Sequence, residues 1–333
     1  MLLKFVKEKT MILPTPIGGL ALAIASLGWA WENIFNLNGY GQLVGAGLAS
    51  MLILLLAAKF LLHPHLLKAD LAHPIVGSVV PTFAMTVMVI SNSIGHFNAR
   101  IGDGLWLLAL LLHLYFLISF LYHRTRRFKI EHMVPSWFIP PVGIIVADVA
   151  FSGNSALMWL AHAVLVLGMT VYALMLPLMI YRIIFVKKIP DVAQPTLAIL
   201  AAPASLSLAG YFSVVAEPDI VIVSLFLVLA ILMTFIIYIA FFKLLRRPFC
   251  PGYAAFTFPM VIGATALFKF SAWMVSSNIG VEYINPIQSL ALFELMVATL
   301  VVSYVALRYF AHFIPLEMSF RSNKIMSGIV NDE

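Results

Sequence analysis

The stretch LPTPIGGLALA, residues 13–23, sets two prolines, Pro14 and Pro16, at the head of a run of small and apolar residues. Four more stretches share this make-up: VVPTFAMTVMV (79–89) with Pro81, FIPPVGIIVA (138–147) with Pro140 and Pro141, LAAPASLSLAG (200–210) with Pro203, and FTFPMVIGATA (256–266) with Pro259. Counted from Pro14 through Pro81, Pro140, Pro203 and Pro259, the steps are 67, 59, 63 and 56 residues. Each step matches two membrane-spanning helices of ~20 residues plus their connections. Proline removes a backbone hydrogen bond, and lipid tolerates it mainly where protein or water satisfies the freed carbonyls. A proline in every second helix therefore predicts five kinked helices around a shared interior, with kinks at Pro16, Pro81, Pro140, Pro203 and Pro259.

Composition agrees with a membrane chain. Of 333 residues, 62% are hydrophobic and only 10% charged, with mean hydropathy +1.03; a soluble domain carries roughly a quarter charged residues. The reading is an all-α integral membrane protein forming a single transmembrane domain over residues 1–333, with short cytoplasmic tails at about 1–12 and 316–333. The N-terminal segment MLLKFVKEKTMILP reads as too short and too charged for a cleaved signal peptide. A lone cysteine, Cys250, excludes an intrachain disulfide and a multi-cysteine metal site. Ten spans are predicted, at about 16–35, 42–62, 74–93, 104–122, 136–151, 156–185, 194–213, 220–245, 253–275 and 286–313.

The basic residues test that count. Eighteen of the twenty Lys and Arg fall on one side of such a topology: before span 1, in or flanking the 2–3, 4–5, 6–7 and 8–9 loops, and at or after the end of span 10. Only Arg100 lies in an opposite loop, and Lys269 lies inside a span. The positive-inside rule then places both termini in the cytoplasm. The net charge of +6 is this asymmetry, so no nucleic-acid partner is expected.

Odd and even spans differ. Residues 16–31 and 197–212 each hold nine Gly, Ala, Ser or Pro among sixteen; residues 104–122 hold three Gly, Ala or Ser among nineteen. Small residues let backbones approach closely, whereas dense Leu, Ile and Phe suit lipid. The expected arrangement is five helical hairpins, each with an inner kinked helix and an outer lipid-facing one, the inner helices parallel in a ring around a lumen. An ordinary bundle, in which small residues serve packing alone, is the competing architecture. The predicted wall is almost uncharged: Gly18, Gly19 and Ser26 from span 1, Thr82, Thr86 and Ser91 from span 3, Ser205 and Ser207 from span 7. Such a wall suits passage more than storage of ions.

These residues resemble the tellurite-resistance/dicarboxylate transporter family, which includes the slow anion channels of plant guard cells. The resemblance rests on LPTPIGGLALAIASLGWAWEN (13–33), AHPIVGSVVPTFAMT (72–86), PSWFIPPVG (135–143), QPTLAILAAPASLSLAGYFS (194–213) and AFTFPM (255–260), in that order along almost the whole chain. It implies ten helices, a quasi-five-fold pore, a homotrimer in which each subunit has its own pore, and small inorganic or organic anions as cargo. In that family a phenylalanine of the ninth helix plugs the pore, in the pattern aromatic-x-Phe followed by a small residue or proline. Phe256-Thr257-Phe258-Pro259 matches, which puts the implied pore gate at Phe258. An apolar ring in a narrow lumen would block ions by dewetting. The plain alternative is that Phe258, one of 25 phenylalanines, packs in a helix interface.

Among the remaining residues, Lys269 and Glu294 are the only charges deep within spans. An intramembrane ion pair between them reduces the cost of burial and is favoured; the alternative has Lys269 facing the pore. Asp148, near the outer end of span 5, is read as reaching the surface. His113 and His162 raise a rival class, a haem-bearing membrane oxidoreductase, but they lie in outer helices with no second pair, so interhelical hydrogen bonding is preferred. His63, His65 and His73 are read without a metal. No nucleotide-binding loop or nucleophile motif occurs, so no cofactor and no enzymatic step are expected. The functional reading is an anion channel or transporter of the cell membrane, with a proton-coupled C4-dicarboxylate or tellurite/sulfite carrier as the alternative.

Overall fold

The computed structural model describes residues 2–126, 128–186 and 188–313, with side chains described from residue 7 onward. The tail at 316–333 and the basic residues Arg127, Lys187, Arg321 and Lys324 lie outside the described residues. Helices in chain order are α1 (Leu2–Met11), α2 (Ile17–Phe35), α3 (Tyr40–Leu62), α4 (Pro64–Ala72), α5 (Val76–Gly95), α6 (Ala99–Arg126), α7 (Pro135–Val149), α8 (Ser155–Phe185), α9 (Asp191–Val214), α10 (Ile220–Leu244), α11 (Pro251–Ser277) and α12 (Val281–Phe313). No strand occurs among the described residues. Eight of these, α3, α5, α6 and α8 to α12, are long and apolar enough to cross a membrane; α7 is a shorter apolar helix. The ten segments α2, α3 and α5 to α12 fall where the sequence placed the ten spans. The helices α1 and α4 were not expected. The first, polar in part, packs against α3, and α4 packs against α5 and α6.

Two classes of helix are present. In α5, α9 and α11, 72, 78 and 67% of the apolar window is buried, against 28 to 39% in α3, α6, α8, α10 and α12. The heavily buried class is the small-residue class, because Gly, Ala and Ser present too little side chain to fill a lipid interface but allow close backbone contact. Each buried segment packs on the long helix that follows it: α2 on α3, α5 on α6, α7 on α8, α9 on α10 and α11 on α12. The buried segments also touch one another, α2 with α5, α5 with α7, α7 with α9, α9 with α11, and α11 with α2.

The prolines stand at the N-terminal edges of α-helical runs. Pro16 directly precedes α2; Pro81 separates Val76–Val79 from Thr82–Gly95; Pro140 and Pro203 are second residues of the runs Ile139–Val142 and Ala202–Val214. Pro259 is the third residue of Thr257–Ser277, which follows a 3-10 stretch, Pro251–Phe256. Pro140, Pro203 and Pro259 thus stand just after a 3-10 stretch turns α-helical, and Pro81 between two α-helical runs. The reason is economical: in the first turn no intrahelical partner exists for the N–H that proline lacks.

The irregular halves carry carbonyls that the ordinary helical ladder does not satisfy, and side chains of other helices donate to several carbonyls of these segments and their flanks. His113 Nε2 of α6 donates to the Pro140 carbonyl at 2.8 Å and Trp106 Nε1 to that of Ala147 at 2.8 Å. Tyr309 of α12 donates to Pro251 O, and Arg182 of α8 to Glu131 O at 2.8 Å. Within the buried class, Trp137 Nε1 donates to Pro74 O at 3.0 Å. Non-helical backbone at membrane depth is thereby covered by protein.

Close approach between α2 and α3 depends on Gly28. A Cβ there would overlap the Gly41 carbonyl and come within 2.9 Å of the Gly45 Cα, both backbone atoms that cannot rotate away. Gly28→Val is expected to force α2 and α3 apart at a cost of about 1–3 kcal/mol or more. The loss of a monodisperse peak on size exclusion in detergent would register it, and an unchanged profile with unchanged thermal stability would count against this packing.

Candidate functional site

Two cavities lie in succession between the buried segments. The first, of about 90 Å³, is lined by residues of all five, including Gly19 (α2), Thr82 (α5), Val142 (α7), Pro203 (α9) and Phe258 (α11). Its lining is almost wholly apolar, Thr82 and Thr196 being the hydroxyl side chains in it. Pro16, Pro203 and Pro259 line it directly; Pro81 and Pro140 do not. The second cavity, of about 20 Å³, has room for about one water molecule. It lies further along α2 and α11 and is lined by Ser26, Trp29 and Asn33, by Val89, by Val146 and Val149, and by Ile262, Thr265 and Lys269.

Phe258 is the one residue that lines both. Its ring is 8% exposed and belongs to the lining of both chambers. Its position follows from local sequence: Phe256 and Phe258 flank the change from 3-10 to α-helix, so they point differently. Phe256, with no exposure, packs its ring on Tyr253 and on Phe241 of α10, at centroid distances of 4.8 and 5.4 Å. Phe258 borders empty space on two sides instead.

Of the wall residues expected from sequence, Gly19 and Thr82 line the first cavity and Ser26 the second. The others are packed away. Thr86 donates to its own helix at Thr82 O (2.7 Å) and contacts Gly18 O (3.2 Å); Ser91 and Ser205 bond to Met88 O and Ala201 O. Asn33, Thr265 and Thr196, which sequence reasoning did not select, do line the cavities. A helical face shared with Ser26 would have pointed to Asn33, seven residues on.

Lys269 and Glu294 form no ion pair. Lys269 lies at the second cavity and also at an open vestibule beyond it, both of which share Asn33, Thr265 and Lys269. Glu294 is 4% exposed and faces the opposite side of α11, where its Oε2 lies against Gly263 without a hydrogen-bond partner, near Thr234 of α10. The six residues from Gly263 to Lys269 span ~9 Å of helix, so the two charges differ in depth as well as face. Adjacent helices alone did not guarantee a pair.

Asp148 does not reach the surface. It is fully buried, beside Gly210, and neither carboxyl oxygen has a hydrogen-bond partner among the described residues. The cause is that α7 is packed on α5, α8 and α9 together, leaving no free face near its end. His113 is fully buried and bonded to Pro140 O, whereas His162 is exposed on α8 and bonded to its own helix at Met158 O. The two imidazoles do not face one another across a haem-sized space. His63 bonds Lys7 O and the His73 ring accepts from the Ile75 and Val76 amides; no metal-binding group of three occurs among the described residues.

Comparison with known proteins fits this geometry. The family described as voltage-dependent anion channel (SLAC1) matches residues 12–310. The chain belongs to that family. Its members are channels and transporters rather than enzymes, and the chain is accordingly a multi-pass membrane protein of a transporter family. Two relatives from Methanocaldococcus jannaschii, each described as an uncharacterized transporter, are 28% identical over 240 residues (64% of this chain, 69% of the relative) and 27% identical over 232 residues (62% and 68%).

Proposed function

We propose that this protein is an anion channel in which Phe258 closes a path running between the five buried segments. The observation that carries the reading is the position of Phe258 as the sole residue common to two successive cavities. The cycle of contacts α2–α5–α7–α9–α11–α2 supports a ring of inner helices, each backed by its following lipid-facing helix. An apolar ring between chambers this small excludes hydrated ions, and its rotation would join them. On this reading the whole chain is one transmembrane domain of the cell membrane, with both termini cytoplasmic, assembled as a trimer. Passive passage needs no covalent chemistry.

A second reading, a proton-coupled carrier of dicarboxylate, tellurite or sulfite, draws on Asp148 and Glu294, two buried carboxyl groups without hydrogen-bond partners at one or both oxygens. The two readings separate in proteoliposomes. A channel gives chloride or nitrate flux that follows an imposed membrane potential and is indifferent to a pH gradient. Saturable malate or sulfite uptake driven by a proton gradient, with no response to potential alone, would overturn the channel reading.

A further inference from the structure

The two sides of Phe258 are chemically unlike. The five-segment chamber offers an almost wholly apolar wall. On the other side, the second cavity and the vestibule continuous with it carry one ammonium, Lys269, and the side-chain amides of Asn33, Asn285 and Gln288; the Thr265 and Ser271 hydroxyls there donate to Val261 O at 3.0 Å and Phe268 O at 2.9 Å. No Asp or Glu belongs to either lining. Glu294, the carboxyl group on the neighbouring helix, faces the far side of α11. Glu32, beside Asn33, is engaged by the Gly39 and Gly41 amides at 2.8 and 3.0 Å. Lys269 thus has no protein counter-charge among the described residues, although it sits at a half-buried wall where an ammonium is costly without one. An anion entering the vestibule would meet an ammonium with no protein carboxylate facing it.

We propose that Lys269, with the Asn33 amide, forms a docking site for a singly charged inorganic anion immediately beyond the gate. One fixed positive charge with amide donors beside it neutralises one negative charge. A dicarboxylate would leave its second carboxylate facing neutral groups. The site's service to transport rests on the gate reading above; its binding of an anion does not. Being single and open to a vestibule, the site holds its anion loosely, which permits onward movement.

Chloride binding to the purified protein in detergent, read from chloride NMR line broadening at low ionic strength, tests the site directly. Excess broadening is expected with wild type and with Lys269→Arg, and should fall to the detergent background with Lys269→Gln, a neutral side chain of similar length whose folding is checked by size exclusion. Equal broadening in folded Lys269→Gln would overturn the site. Nitrate is expected to displace chloride more effectively than succinate; the reverse order would overturn the singly charged class. In the Phe258→Ala background, Lys269→Gln should lower the chloride-to-potassium permeability ratio about three- to tenfold at ~10 mM salt, where screening extends about 30 Å, with a smaller change at ~1 M. An unchanged ratio at low salt would overturn a role in selectivity. If Phe258→Ala passes no current in any anion, the gate reading falls, and the line-broadening result still decides the site.

Discussion

Phe258→Ala is expected to raise anion conductance in planar bilayers at least about tenfold, equivalent to lowering the limiting barrier by about 1.4 kcal/mol. The ring lines both a chamber of about 90 Å³ and one of about 20 Å³, and on the proposed gate reading its truncation joins them into one path. An intermediate side chain should behave accordingly, with Phe258→Leu conducting less than alanine and Phe258→Trp staying closed. Truncating a buried phenylalanine also costs stability, about 3–5 kcal/mol in a well-packed core. Phe258 belongs at the low end, because cavities already border its ring. Phe256→Ala is the matched control: Phe256 is fully packed against Phe241 and Tyr253. It should destabilise the protein more than Phe258→Ala while leaving conductance low. Equal conductance from the two alanine variants would make the effect one of general loosening and remove the gate.

The second large effect is expected at Lys59. This residue, 6% exposed, donates to Thr15 Oγ1 at 2.8 Å and to Asp70 at 3.4 Å, while the Thr15 hydroxyl also donates to Asp70. Thr15 lies between Pro14 and Pro16, so the chain of bonds ties the start of α2 to α3 and α4. Removing one partner of a buried pair costs about 3–5 kcal/mol; with the Asp70 side chain 22% exposed, about 2–3 kcal/mol is the fitting range for Lys59→Ala. The apparent melting temperature in detergent should fall clearly. Adding Asp70→Asn to Lys59→Ala should cost less than the two single effects together, because both remove one interaction. Strict additivity would show that the triad is not a unit.

Much of this architecture is legible in the chain without its neighbours. Lipid requires long apolar segments with satisfied backbones, so the eight helices long and apolar enough to cross, and their approximate ends, follow from local composition alone. The contrast between Gly/Ala/Ser/Pro-rich and Leu/Ile/Phe-rich helices likewise separates buried from exposed, since it is set by side-chain volume. In the sequence, Phe258 stands out only through the pattern Phe256-Thr257-Phe258-Pro259 and the family it resembles; residue type alone does not distinguish it from the chain's other phenylalanines.

What sequence could not supply was direction around each helix axis and the choice among partners. Lys59 reads as one of the basic residues flanking the 2–3 loop, yet it is a buried donor between Thr15 and Asp70. Lys269 and Glu294 read as a pair because their helices are neighbours, yet they take different faces and depths of α11, one at a cavity and one against Gly263. Asp148 reads as terminal and therefore wet, yet three neighbouring helices enclose it. Segment identity is fixed by the transfer of many side chains into lipid and is robust to any one of them. A single side chain's contact depends on helix rotations and offsets set jointly by close approaches such as Gly28 on Gly41 and Gly45, which exist only once the helices have packed.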